Sequence, residues 1–298
     1  VERMPQHRTA VIMTALQVES RAVLDHLDYQ RPGRSRVQAR TGTFAGDHGT
    51  WRVSLLEVGV GNIAAAGECQ RIIAEHRPEV ALFVGIAGGL NDLHHGDVVV
   101  GESVVHYERG KEIRFGFRPR IRQHSSSERL IRHARTVAAN AAWQVFVKGA
   151  LDGEPRAMVA QIASGGKVLA SRQSSSFRRL RKYCSEAVAV DMESYGFLHG
   201  VHASDHRCHA LPIRGVSDLL VGKNPEADMH WQPKAARNAA AFAFAFLQSL
   251  PEFGDRTDDH HVAQGEVHQM DQMSSWQRNT FNLKRNRKLQ IGNGNVMH

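Results

Sequence analysis

The chain has 298 residues, 42% of them hydrophobic and 23% charged, ordinary values for a globular protein able to bury a sizeable core. No apolar run is long enough to cross a bilayer as a helix, and the first eight residues (VERMPQHR) lack the apolar stretch of a secretory signal. Lys and Arg number 38 against 30 Asp and Glu, a net +8 with a sequence pI of about 9.7, so an anionic partner has to be considered. Cys69, Cys184 and Cys208 are too few and too scattered for a disulfide framework or a zinc knuckle, and a reducing cytoplasm is the expected setting.

In chain order, residues 9–16 (TAVIMTAL) read as a buried strand, and residues 17–27 carry Val18, Ala22, Val23 and Leu27 at helical spacing. Residues 51–58 (WRVSLLEV) form the next expected strand, ended by Gly59-Val60-Gly61-Asn62. Residues 63–75 place Ala66, Cys69, Ile72 and Ile73 on one helical face. Residues 80–84 (VALFV) read as a third strand running into Gly85-Ile86-Ala87-Gly88-Gly89, and residues 97–105 are again β-rich. A Ser125…Glu128 capping box is expected to open a helix over 125–142. Strands are expected at 187–190 and 210–216, with a closing helix at 234–250. This alternation defines an α/β domain over residues 1–252 with a buried mixed or parallel sheet. Residues 253–298, rich in Asn, Gln and charge, read as a disordered polar tail.

Ligands of open α/β folds bind where strands end, and four strand exits carry unusual residues. Glu19 follows the first strand, where a carboxylate also suits the positive end of a helix. Glycines 85, 88 and 89 would let a ligand approach the backbone and leave amide groups to donate; the spacing matches neither a dinucleotide fingerprint nor a Walker loop. Ala189-Val190-Asp191-Met192-Glu193 would put Asp191 and Glu193 on one face if the strand continued. In Arg214-Gly215-Val216-Ser217-Asp218, Asp218 leaves an apolar strand, where an Asp also makes helix caps and turns.

These blocks occur together and in order: A-L-x-x-E, G-V-G-N-I-A-A-A, G-I-A-G-G-L with G-D-V-V-V, A-S-G, V-D-M-E and R-G-V-S-D. The set resembles the methylthioadenosine/S-adenosylhomocysteine nucleosidase branch of the nucleoside phosphorylase superfamily, over about residues 9–250. The resemblance implies a three-layer α/β/α fold around a twisted mixed sheet and hydrolysis of an adenine nucleoside without a cofactor. It implies that Asp218 is the general acid at purine N7, with Ser217 beside it, and that Glu19 positions the attacking water. Glu193 would bind the ribose hydroxyls and Met192 would pack on the sugar. Ile86, Ala87 and Gly88 would line base and sugar, with Val168 and Leu169 flanking the purine. It also implies a homodimer.

Phosphorolysis needs cations for the phosphate, and the phosphorylase relatives carry an arginine where this chain has Phe83, together with an early Gly-Asp-Pro that is missing here. Hydrolysis is therefore expected; phosphorolysis, or a nucleotide-sensing or defence module using the same pocket, are the alternatives. Two departures bear on the substrate. The acid-then-small pair after A-S-G is replaced by Gly166-Lys167, and residues 109–122 hold six Lys or Arg against one acid. The segment 109–122 reads as a solvated loop or an oligomer contact, or else as a basic lid admitting a 5′-phosphorylated adenine nucleotide. Residues 253–298 carry six basic and five acidic residues, so the positive charge belongs to the domain and nucleic-acid binding is not expected. The 18 histidines show no metal-ligand spacing, and no metal is expected.

Overall fold

Apolar, β-branched runs occupy the middle of a large mixed sheet, where both faces are covered and polar alternation is not needed. The computed structural model describes residues 7–30, 38–114, 116–151, 153–220 and 224–253. The expected tail at 253–298 lies outside the described residues except for Phe253.

The chain runs β1 (Arg8–Thr14), α1 (Gln17–Leu24), β2 (Asp28–Gln30), β3 (Arg40–Gly46), β4 (Gly49–Glu57), α2 (Asn62–His76), β5 (Val80–Gly89) and β6 (Val98–His106). It continues with β7 (Gly110–Ile113), β8 (Gly116–Pro119), β9 (Arg122–Ser125), α3 (Glu128–Ala138), a 3-10 helix (Ala141–Phe146) and β10 (Ala157–Ser164). The last elements are α4 (Ser175–Tyr183), β11 (Ala189–Asp191), α5 (Ser194–His202), β12 (His209–Asp218) and α6 (Pro225–Ser249).

The sheet order is β11-β10-β6-β12-β5-β1-β4-β3-β2, with β9 added on β6. β1 is parallel to β4 and β5, whereas β12 is parallel to β5 and antiparallel to β6. β5 leaves β1 after Phe83, and at Gly88 and Gly89 it pairs instead with β11. Strands β5, β12, β6, β10 and β11 thereby close into a ring, and a gap opens between the ends of β1 and β11.

Helices cover both faces. α2 and α5 pack together on the face bearing Val11, Met13, Ala81 and Phe83. Arg214 lies over the Phe83 ring on this face, so its neighbour Gly215 points the other way. A Cβ on Gly215 would sit 2.0 Å from the Ala235 carbonyl oxygen, which puts α6 on the opposite face. The expected layered α/β arrangement around a mixed sheet is the one found.

Three local expectations change. Residues 85–89 do not follow the strand exit but are the end of β5 itself, so most of their backbone groups serve the sheet. Ser125 belongs to β9; the helix starts after Ser127, which makes no side-chain cap because its Oγ accepts from Ala210 N at 3.0 Å. Strand β11 stops at Asp191, so alternation does not carry through to Glu193, which takes the residue position before α5.

Candidate active site

A cavity of about 180 Å³ lies in the gap between β1 and β11. β1 and α1 contribute Ala15, Leu16 and Glu19, and β5 contributes Ile86, Ala87 and Gly88. The end of β11 adds Val190, Asp191, Met192 and Glu193, and the end of β12 adds Ser217, Asp218 and Leu220. Val60, Gln232 and the segment Lys167-Val168-Leu169 complete the wall. Glu19, Ile86, Ala87, Gly88, Val168, Leu169, Met192, Glu193, Ser217 and Asp218 all line this one cavity, whereas Gly85 and Gly89 do not.

Glu19 is 2% exposed and is held by main chain on both sides of the gap. Its Oε2 accepts from Ala15 N at 2.7 Å and Leu16 N at 2.8 Å, and its Oε1 accepts from Ile86 N at 2.9 Å. It therefore closes the first turn of α1 and also fixes β5 against β1. Burial pushes its carboxyl above the usual range, opposed by Arg214 and the three backbone donors. A raised pKa makes the carboxylate a better proton acceptor, as a general base requires.

Arg214 was quoted in the R-G-V-S-D block but given no role from the sequence. Its side chain is fully buried, with Nε 2.8 Å from Asp191 Oδ2 and donating to Ser194 Oγ at 3.1 Å. Nη2 stands 3.8 Å from Glu193 Oε2. Neither Nη1 nor Nη2 finds a hydrogen-bond partner among the described residues. A Cβ on Gly85 would lie 2.3 Å from Arg214 Nη1 and 2.7 Å from Glu19 Oε1, so glycine is what lets this cation and carboxylate reach the same spot. An arginine inside the apolar run 210–216 was the available signal, because a buried cation must be paired.

Glu193 accepts from Gly61 N at 2.9 Å, which Gly61 presents from a φ of 110°. Burial raises the Glu193 carboxyl to about 7, against the pull of the Arg214 cation. Asn62 clamps the same corner: Nδ2 donates to Gly165 O at 2.9 Å, while Oδ1 accepts from Gly196 N at 2.7 Å and Ser164 Oγ at 3.1 Å. The G-V-G-N block is thus an anchor for Glu193, a stronger part than two glycines alone announced. Asp218 Oδ1 accepts from Leu220 N at 3.1 Å, and the strand is irregular between Val216 and Asp218 where it pairs with Gly88.

The basic segment 109–122 contributes no described residue to the cavity. It forms the β7–β8 hairpin and the start of β9, and the hairpin docks on α4. Arg179 pairs with Glu112 at 2.8 Å and lies 3.9 Å over the Phe117 ring, and Tyr183 donates to Phe117 O at 3.3 Å. Among the described residues, no group of three His, Cys, Asp or Glu is arranged to hold a metal, and no helix is long and apolar enough to cross a membrane.

The mixed sheet covered by helices on both faces, with a cavity at its strand ends, defines the class of fold. The chain belongs to the phosphorylase superfamily, whose sequence model matches residues 9–248. It is similar to the 5′-methylthioadenosine/S-adenosylhomocysteine nucleosidase of Neisseria meningitidis, solved with methylthio-immucillin-A: 25% identity, TM-score 0.65, covering 81% of this chain and 99% of that one. The fold is shared with the futalosine hydrolase of Helicobacter pylori strain 26695, at 19% identity and TM-score 0.63 over 80% of this chain and 97% of that one. Among curated proteins it is similar to the ATP nucleosidase Cap17 of Escherichia coli (strain KTE188), 25% identical over 175 residues, or 53% of this chain. The match spans about a third (34%) of the length of that relative.

Proposed function

We propose that the protein is a hydrolytic N-glycosidase of adenine nucleosides or 5′-phosphorylated adenine nucleotides. The observation that carries the reading is the convergence of Glu19, Glu193 and Asp218, from three distant parts of the chain, on one cavity, with the buried Arg214 guanidinium behind Glu193. Asp218 gives its proton to purine N7 as the bond between C1′ and N9 breaks and the bonding pair leaves with the base. The ribosyl cation is stabilised by the Glu193 carboxylate, which also accepts from the sugar hydroxyls. Water held by Glu19 attacks C1′ and yields its proton to that carboxylate. Adenine and the free sugar are the products.

Three features support these roles. Both glutamates have raised pKa values, which suits Glu19 to accept a proton and makes Glu193 titrate at about 7, gaining its carboxylate form as the pH rises. Ser217 and Met192 sit at the cavity wall beside Asp218 and Glu193, while Ile86, Ala87 and Gly88 line the side left for base and sugar. Val168 and Leu169 offer the apolar surface that a purine ring needs. Phe83 fills, under Arg214, the position where a phosphorylase would place its phosphate cation, which favours water over phosphate. A homodimer and a cytoplasmic location belong to the same proposal; the free thiols of Cys69, Cys184 and Cys208 suit a reducing compartment.

Adenine release from a panel of adenosine, methylthioadenosine, AMP and ATP tests the reading, with phosphate added or omitted. Release that is independent of phosphate and abolished by Asp218→Asn supports it. Strict dependence on phosphate would make the protein a phosphorylase, and no release from any substrate would leave it a binding module.

A further inference from the structure

Where the backbone pairing of β6 with β10 stops, two side chains carry it on. The strands run parallel, in register as far as His106 opposite Ser164. The next residues on the β6 side, Tyr107 and Glu108, meet the next on the β10 side, Gly165 and Gly166. A Cβ on Gly165 would lie 2.6 Å from the Tyr107 hydroxyl oxygen, so glycine is what lets the chain rest on that buried ring. Glu108 Oε2 accepts from Gly166 N at 2.6 Å, and Glu108 Oε1 stands 3.6 Å from Lys167 Nζ.

These contacts hold the root of Lys167-Val168-Leu169, the segment that walls one side of the cavity. Gly165 itself is tied twice more: its N donates to Asp191 O at 3.0 Å, and its O accepts from Asn62 Nδ2 at 2.9 Å. Beyond it the support thins. Among the described residues, Glu108 makes the one hydrogen bond given to the main chain of residues 166–169. The next hydrogen bond to another element comes from the Arg172 side chain, to Leu219 O at 3.1 Å. Leu169 is buried in the cluster that also holds Tyr107, Val190 and Leu220, whereas Val168 is 60% exposed. A loop tied at so few points opens locally at small cost, and substrate meets a complete wall only in the fraction of molecules where the loop is seated.

We propose that Glu108 is a positioning residue: by holding the Gly166 amide it keeps Val168 and Leu169 seated, and so sets the affinity for the base of every substrate. Glu108 does not line the cavity, so it acts through the loop alone. The proposal rests on the N-glycosidase reading above for one point, that this wall is the one that meets the purine. Glu19 and Arg214 have other partners, so loosening the loop leaves the bond-breaking groups in place.

The test compares the unmodified protein with Glu108→Ala and Glu108→Gln. In Glu108→Ala, KM for adenosine, methylthioadenosine and AMP should rise by one common factor of about ten, as expected if loss of a charge-assisted hydrogen bond leaves about a tenth of the loops seated. The value of kcat should stay within about twofold, because binding common to ground state and transition state is what is lost. Calorimetry should show free adenine weakened by the same factor. Glu108→Gln, which keeps an oxygen for the Gly166 amide, should restore most of the affinity. In hydrogen exchange on the unliganded proteins, the Gly166 amide should lose protection in Glu108→Ala while the amides of β10 keep theirs. A fall in kcat at unchanged KM, a rise in KM that differs among the three substrates, or protection lost throughout β10 overturns the proposal. If no substrate releases adenine, the N-glycosidase reading fails on its own account. Free adenine then still judges the wall: tighter binding by the unmodified protein than by Glu108→Ala upholds the proposal, and equal binding, or none to either, overturns it.

Discussion

The floor and the rim of the cavity are built in opposite ways. On the floor each charged group is held from several directions by elements that meet only in the folded sheet: Glu19 by three backbone donors across β1 and β5, Arg214 by Asp191 and Ser194, Glu193 by Gly61. On the rim, Lys167 has one loose partner, and the hairpin beyond it touches α4 through a few partly buried side chains and the exposed Glu112. The difference separates two tasks. Bond cleavage needs groups fixed in position and shifted in pKa by burial, whereas substrate choice is adjustable on a solvated edge that can change without disturbing the sheet.

The contrast is broken most severely from the floor. Asp218→Asn removes the proton donor, and kcat should fall by about 10²–10⁴, the usual share of general acid catalysis, as measured by adenine release. The fold should survive, read as an unchanged far-UV spectrum; a variant with full activity would remove Asp218 from the mechanism. Arg214→Met attacks the floor through stability instead. It leaves Asp191 and Glu193 buried without their cation, and a loss of about 3–5 kcal/mol in urea unfolding is expected. A loss below about 1 kcal/mol, the value of an exposed pair, would mean that the floor is no more tightly tied than the rim.

Protons sharpen the comparison more gently. Glu193 is raised from 4.5 to about 7, so between those values the folded protein holds a proton that the unfolded chain has lost. The stability that this group contributes is complete below about 4.5 and drains away as the pH rises through about 7. Activity should run the other way, because only the carboxylate supports the sugar cation: kcat/KM is expected to rise through the same range. Urea midpoints from pH 5 to 8 for the unmodified protein and Glu193→Gln check the first part, with a shallower slope expected in the variant. Parallel slopes would assign the titration to another group.

The same division explains what could be read from the sequence. Strands β1, β4, β5 and β12 are covered by other elements, so their apolar runs stand out, and the residues at their exits proved to share one cavity. Of the elements not foreseen, three bury little: β3 alternates only weakly, all of β7 is exposed, and α4 buries only Leu180; α5, in contrast, buries six of its nine residues, and β10 buries its last three. The existence of the first three depends on partners, not on their own pattern. Among site residues, those at strand ends were found, and Arg214 and Asn62 were missed as working parts. Both act by bonding to residues far away in the chain, contacts that no local spacing encodes. The glycine run misled for a related reason: Gly85 and Gly88 are small because Arg214, Glu19, Leu220 and Asp218 approach them, not because the strand has ended to admit a ligand.

Arg179→Ala is the mildest test and addresses the rim alone. The guanidinium joins Glu112 at 2.8 Å and covers the Phe117 ring at 3.9 Å, with Glu112 70% exposed. An exposed ion pair and a partly solvated cation–π contact together are worth at most about 1–2 kcal/mol, and that energy acts only between the hairpin and α4. Global unfolding should therefore hardly change, because the hairpin can detach before the sheet opens. Hydrogen exchange is the measurement that separates the two: amides of β7 and β8 should lose protection while those of β1 and β5 keep theirs. If β5 loses protection along with the hairpin, rim and floor unfold as one unit. The freedom of the rim to set substrate choice independently would then have no structural basis.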